Sequence, residues 1–227
     1  IYQPRYLSGI AAGLNTKTNK IGYVAAMGLD NSEVTGGIDA FALGIYSVNP
    51  DAKVYVKVTN SWYDPKGEEE AAKTLLNMNC DVIAQHCDTV YPQTLAQEKG
   101  VYSIGYNSDM SKEAPEACLC SVIWNWSAYY TSAVQSVIDG TWDGSNYYGG
   151  MNENLVSITP VADFAADTTQ EKVNVAKQQI LSGKNGVFDG VIETNTGATV
   201  GTAGKTLEDS VITGGINWYF KTVSVIE

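Results

Sequence analysis

Ile21-Gly-Tyr-Val-Ala-Ala26, followed at once by Met27-Gly28-Leu29-Asp30, is a short apolar run that ends in a polar, turn-forming cluster. The arrangement returns four times. Val54–Val58 precedes Asn60-Ser-Trp-Tyr-Asp64, and Val82–Ala84 precedes Gln85-His-Cys-Asp88. Val101–Ile104 leads to Tyr106-Asn-Ser-Asp109, and Cys120–Ile123 leads to Trp124-Asn-Trp126. Helical patterns separate most of these runs. Short buried strands alternating with helices predict an α/β fold with a doubly wound parallel sheet. In such sheets ligands bind outside the carboxyl ends of the strands. Here those ends carry aromatics, amides and carboxylates, a set suited to a flat, polar small molecule.

The bulk numbers narrow the class. The chain has 227 residues and 44% hydrophobic content, enough for a packed core, so disorder is excluded. The net charge is -11, from 14 Lys+Arg against 25 Asp+Glu, with no cationic block. Nucleic acid is therefore a poor partner, because phosphate binding needs clustered cations. No apolar run approaches the roughly 18 residues of a membrane helix. The chain opens at Ile1 rather than Met and reads as a processed or partial product. Its four cysteines are Cys80, Cys87, Cys118 and Cys120. Their spacing fits neither a zinc knuckle nor a redox C-x-x-C, and there is a single His, so no metal site and no cofactor are expected. The thiols read as small buried hydrophobes near strand ends.

Local signals set the helices. Asn31 or Ser32 can cap a helix whose apolar stripe is Val34, Ile38, Phe41, Ala42 and Ile45, one helical face. Asp64 can cap the next, with Pro65 at its first position and Glu68, Glu69 and Glu70 in or near the first turn. Helices are also predicted over Tyr6–Leu14, 91–99, 169–181 and around Tyr130, Val134, Val137 and Ile138. Leu155–Thr159 alternates like a strand. Residues 183–215 read as loops and short hairpins, and Ile216–Val225 fits a short strand or a short helix.

The candidate binding residues sit at the strand ends. Trp62 follows the second run, and His86 and Asp88 follow the third. Asn107 and Asp109 follow the fourth, and Trp124, Asn125 and Trp126 the fifth. Indoles are large enough to cover a heteroaromatic ring. A carboxylate accepts from ring N–H groups or sugar hydroxyls. Each residue also has a structural alternative: a packing indole, a turn-capping Asp, a satisfied core His. No nucleophile elbow accompanies His86, so no catalytic residue is named and an enzyme is not expected. Gly201-Thr-Ala-Gly-Lys205-Thr206 fails as a phosphate loop because position 199 is Thr and no strand–helix context surrounds it.

At these residues the chain resembles the basic membrane protein family, the bacterial surface lipoproteins that bind purine nucleosides and related compounds for ABC importers. Tyr6-Leu-Ser-Gly-Ile-Ala-Ala-Gly-Leu14, Thr16-Lys-Thr-Asn-Lys-Ile-Gly-Tyr-Val24 and Asn60-Ser-Trp-Tyr-Asp-Pro65 carry the resemblance. Asp81-Val-Ile-Ala-Gln-His86, Ser108-Asp-Met110 and Ser121-Val-Ile-Trp-Asn-Trp126 extend it. It implies a type I periplasmic-binding-protein fold of two α/β lobes around a cleft. It implies residues 1–16 as a hinge-proximal helix of lobe one, 17–155 as a ligand-binding lobe two, and 156–227 as a segment returning to lobe one. The first part of lobe one and the lipid-bearing cysteine would lie outside this chain, which would allow the chain to self-associate. A membrane permease is the implied partner and the cell exterior or periplasm the implied location.

The Trp-Asn-Trp and Gln-His variants resemble the branch associated with adenine-type ligands. Where many relatives have a basic residue after the fifth strand, this chain has Trp124, which shifts the expectation toward a free base. Trp124 or Trp126, with Trp62, would stack on the base. Asp109 would accept from it, and Asn107, Asn125 and His86 would complete its edge. The competing readings are a ligand-sensing receptor on the same fold and a purine-processing enzyme.

Overall fold

The structure is a computed structural model that describes residues 1–226; Glu227, the last residue of the expected C-terminal segment, lies outside the described residues. The strands are β1 Lys20–Ala25, β2 Lys53–Val58, β3 Val82–His86, β4 Tyr102–Asn107, β5 Cys118–Trp124, β6 Val156–Ile158, β7 Asp189–Glu193, β8 Thr199–Thr206 and β9 Val223–Val225. The helices are α1 Tyr2–Asn15, α2 Ser32–Val48, α3 Pro65–Asn77, α4 Tyr91–Glu98, α5 Ser127–Ile138, α6 Thr169–Leu181 and α7 Asp209–Gly214. A seven-stranded sheet runs in the order β6-β5-β4-β3-β1-β2-β9. Every pair in it is parallel except β5 with β6. The expected doubly wound parallel sheet is thus present, and β7 and β8 form a separate antiparallel hairpin within the stretch read as loops and hairpins.

Strand order reverses at β1, whose neighbours are β2 on one side and β3 on the other. Alternate residues of β1 feed two cores. Ile21, Tyr23 and Ala25 pack with α1 and α2, and Val24 and Ala26 pack with Ala71, Ala72 and Leu75 of α3 and Leu95 and Ala96 of α4. The helices begin where their caps are: Asn31 accepts from the Val34 N–H, and Asp64 accepts from the Gly67 N–H. Glu68 reaches back to the Asp64 N–H and also accepts from the Thr89 hydroxyl at 2.6 Å, which ties α3 to the β3 exit.

Helix α1 packs closely on α2 because both carry glycine at the crossing. A Cβ on Gly9 would lie 2.1 Å from the Phe41 carbonyl oxygen, and one on Gly44 would lie 2.0 Å from that of Tyr6. The segments outside the expected lobe two also meet this sheet: α1 lies over β5 and β6, β6 is one edge and β9 the other. The C-terminal stretch resolves into β9, paired with β2. Helix α7 has no counterpart in the sequence reading; its six residues are too few for a periodic signal. The predicted apolar face of α5 is exposed, with Tyr130, Val134, Val137 and Ile138 each more than half accessible. All four cysteines are buried and unpaired.

Gly9→Ala is expected to destabilise the fold by about 2–3 kcal/mol, since the new methyl meets a backbone carbonyl that cannot rotate away. A thermal melt checks this. A loss under about 0.5 kcal/mol would mean that α1 and α2 can separate at no cost.

Candidate functional site

The carboxyl ends of β1, β3, β4 and β5 converge on a buried polar cluster centred on His86. Its ring is fully buried beneath Trp62 and Tyr106, with ring centroids 5.9 and 4.3 Å away. Nδ1 lies 3.2 Å from the Tyr23 hydroxyl, and Nε2 lies 3.6 Å from the Glu33 carboxylate, slightly beyond hydrogen-bond length. Gly37 of α2 makes room for the ring, since a Cβ there would fall 2.9 Å from Cε1. Burial lowers the His86 pKa from 6.5 to about 3, and the Arg5 charge pushes the same way. The ring is neutral at pH 7. The tautomer that suits both neighbours carries its proton on Nε2, toward Glu33, and accepts on Nδ1 from Tyr23.

Arg5 of α1 lies under the same cluster. It is fully buried, and none of its three guanidinium nitrogens has a hydrogen-bond partner among the described residues. It instead faces two aromatic rings, 4.7 Å from the Tyr106 centroid and 5.4 Å from that of Tyr23.

Glu33 stands at the mouth of the cluster, in the first turn of α2, where the helix dipole favours a carboxylate. Its Oε1 accepts from the Tyr106 hydroxyl at 3.4 Å, and the same hydroxyl accepts from the Trp124 indole N–H at 3.4 Å. Burial pushes the Glu33 carboxyl up, but the neighbouring His86 and Tyr106 outweigh it and hold its pKa below the ordinary value. Glu33 and Trp124 line one cavity of about 170 Å³, together with Ile1, Tyr2, Tyr148 and Ile212. Trp124 also lines an adjoining aromatic groove of about 450 Å³ with Trp126, Tyr129, Tyr130 and Trp142.

The residues expected at the site form three pairs, with Asp109 and Asn125 apart from them. Trp124 and Trp126 stack with centroids 4.7 Å apart and planes 9° apart. Trp62 and His86 pack together inside the wall. Asp88 and Asn107 face each other across β3 and β4 at 3.5 Å, on the exposed rim. Asp109 accepts from the Ser111 N–H in its own turn and is exposed. Asn125 donates to the Asn154 carbonyl and accepts from the Ser127 hydroxyl. Arg5, Tyr23, Glu33, Tyr106 and Tyr148 were not among the expected residues. Tyr106 sits at a strand end and Glu33 beside a helix cap, so both had a positional signal. Arg5 had none: the expected helix runs from Tyr6 to Leu14, whereas α1 begins at Tyr2 and includes Arg5.

The chain matches the family model for PnrA-like ABC transporter substrate-binding proteins over residues 1–187, and it belongs to that family. It is similar to a purine-binding protein of Brucella abortus, 35% identical over 218 residues that cover 96% of this chain and 61% of that protein. It is also similar to a putative ABC transporter glucose-binding protein of Haloferax volcanii, 37% identical over 190 residues, or 84% of this chain and 48% of the relative. The chain thus spans about half to three-fifths of the length of these curated relatives. A solute-binding protein of an ABC transporter from Aeropyrum pernix K1 shares the fold at a TM-score of 0.70 and 16% identity, covering 81% of this chain and 63% of that one. The architecture is that of the periplasmic-binding proteins.

Acid should weaken this protein through His86. An unfolded His takes its proton near pH 6.5 and the native ring only near pH 3, so the unfolded state binds more protons between those values. Stability then falls as pH drops through that window, by up to about 1.4 kcal/mol per unit. The depressed Glu33 pKa adds loss in the same direction at the acidic end. Melting points measured from pH 7 to 4 should fall steadily, and His86→Gln should flatten the slope. Equal slopes in parent and variant would mean that His86 already titrates normally.

Proposed function

We propose that this chain forms part of an extracytoplasmic binding protein that captures a purine, adenine-like rather than nucleoside, and presents it to an ABC permease. The observation that carries the reading is the indole of Trp124 at the wall of a ring-sized cavity. Trp126 covers one part of that indole, and the cavity beside Glu33 takes the rest. An apolar cavity of roughly 150 Å³ holds a benzene-sized ring, so the space of about 170 Å³ beside Trp124 can take one flat ring. The similarity to a purine-binding protein supports the same class of ligand. The similarity to a putative glucose-binding protein is the reason to test the class directly.

In this reading Trp124 stacks on the base and Trp126 backs it. Asp109, Asp88, Asn107 and Asn125 form a polar rim, while Trp62 and His86 stiffen the wall behind. The rim lies at the carboxyl ends of strands beside the reversal at β1, the place where doubly wound sheets bind ligands. The complete protein would be lipid-anchored, with a second lobe closing over the ligand.

Calorimetric titration with adenine, adenosine, guanosine and glucose tests the class. Adenine should bind most tightly. Trp124→Ala should abolish measurable binding. Heat from glucose alone, or unchanged adenine affinity in Trp124→Ala, would refute the assignment.

A further inference from the structure

We infer that Glu33 is the specificity-determining residue of this site: its carboxylate reads the exocyclic amine of the bound base. The inference rests on the purine reading above and adds to it the group that tells one purine from another. Three independent observations meet at this residue. Glu33 opens the helix that follows β1, and β1 is the strand at which sheet order reverses. It lines the ring-sized cavity together with Trp124. Its two oxygens also differ: Oε1 accepts from the Tyr106 hydroxyl and faces His86 Nε2, while no hydrogen bond among the described residues uses Oε2.

The wall behind Glu33 fixes it in this state. Tyr106 is itself fixed, by the Trp124 indole N–H on its hydroxyl and by the Arg5 guanidinium on its ring face. His86, pinned by Tyr23, leaves an N–H directed at the carboxylate. A carboxylate that already accepts from Tyr106 on one oxygen offers the other as an acceptor only. It rewards a ligand that brings an N–H and disfavours one that brings an oxygen, because two acceptors facing each other form no hydrogen bond. Among flat heterocycles, an exocyclic amine is the donor that projects beyond the ring edge and can reach a carboxylate set in the wall.

The test compares two probes, adenine and unsubstituted purine, which differ by the amine alone. Calorimetry on the parent protein should show adenine binding at least tenfold more tightly than purine. In Glu33→Gln the adenine affinity should fall and the gap should close to about twofold, while purine binding changes little. Glu33→Asp, which keeps the charge but withdraws it by one methylene, should narrow the gap too and serves if the glutamine variant fails to fold. A gap that survives intact in a folded variant overturns the inference and leaves the purine reading standing. Parent protein that binds both probes equally also overturns it alone. No heat from either probe overturns both readings.

Discussion

The packing of one buried cation against two tyrosine rings organises this molecule. Arg5 is held by two tyrosine rings, and those rings hold His86 and Glu33. The fold sets this cluster in a tight apolar frame: the glycine-lined crossing of α1 and α2, and the β1 side chains that pack beneath it. What the frame gains is a carboxylate and an indole with fixed orientations at the edge of the sheet. Such preorganisation reduces the ordering cost of capturing a ligand.

The arrangement separates two jobs that the strand ends perform. One set of residues turns the chain. Asn60 and Asn107 leave β2 and β4 with positive φ of 56° and 72°, a conformation Asn tolerates better than most residues. Asp109 and Asp64 cap local N–H groups. The other set faces the cavity: Glu33, Trp124 and Tyr148. An amide or carboxylate at a strand end is thus not by itself evidence of ligand contact in this protein, because several of them serve the backbone.

That division explains how much the sequence disclosed. The alternation of apolar runs with 3.6-period stripes is a short-range signal, so β1 to β5, α2, α3 and α6 were legible within a few residues. Asp64-Pro65 and Asn31 marked helix starts through cap chemistry that needs no tertiary context. Helix α7 and strand β9 were not distinguishable, because each is held by partners far away in sequence: Tyr2 bonds Asp209 at 2.5 Å, and β9 lies on β2. The same holds for the site. The stacked Trp124 and Trp126 stood out as adjacent indoles, whereas the role of Arg5 depends on Tyr23 and Tyr106, and no spacing along the chain reveals that contact.

Whether a base lies on Trp124 with its edge at Glu33 is tested most directly by a crystal structure of the protein with adenine. The ring should lie parallel to the Trp124 indole, about 3.5 Å from it, with the amine nitrogen within hydrogen-bond distance of Glu33 Oε2. Adenine bound elsewhere, or turned so that Glu33 meets only solvent, would contradict this placement.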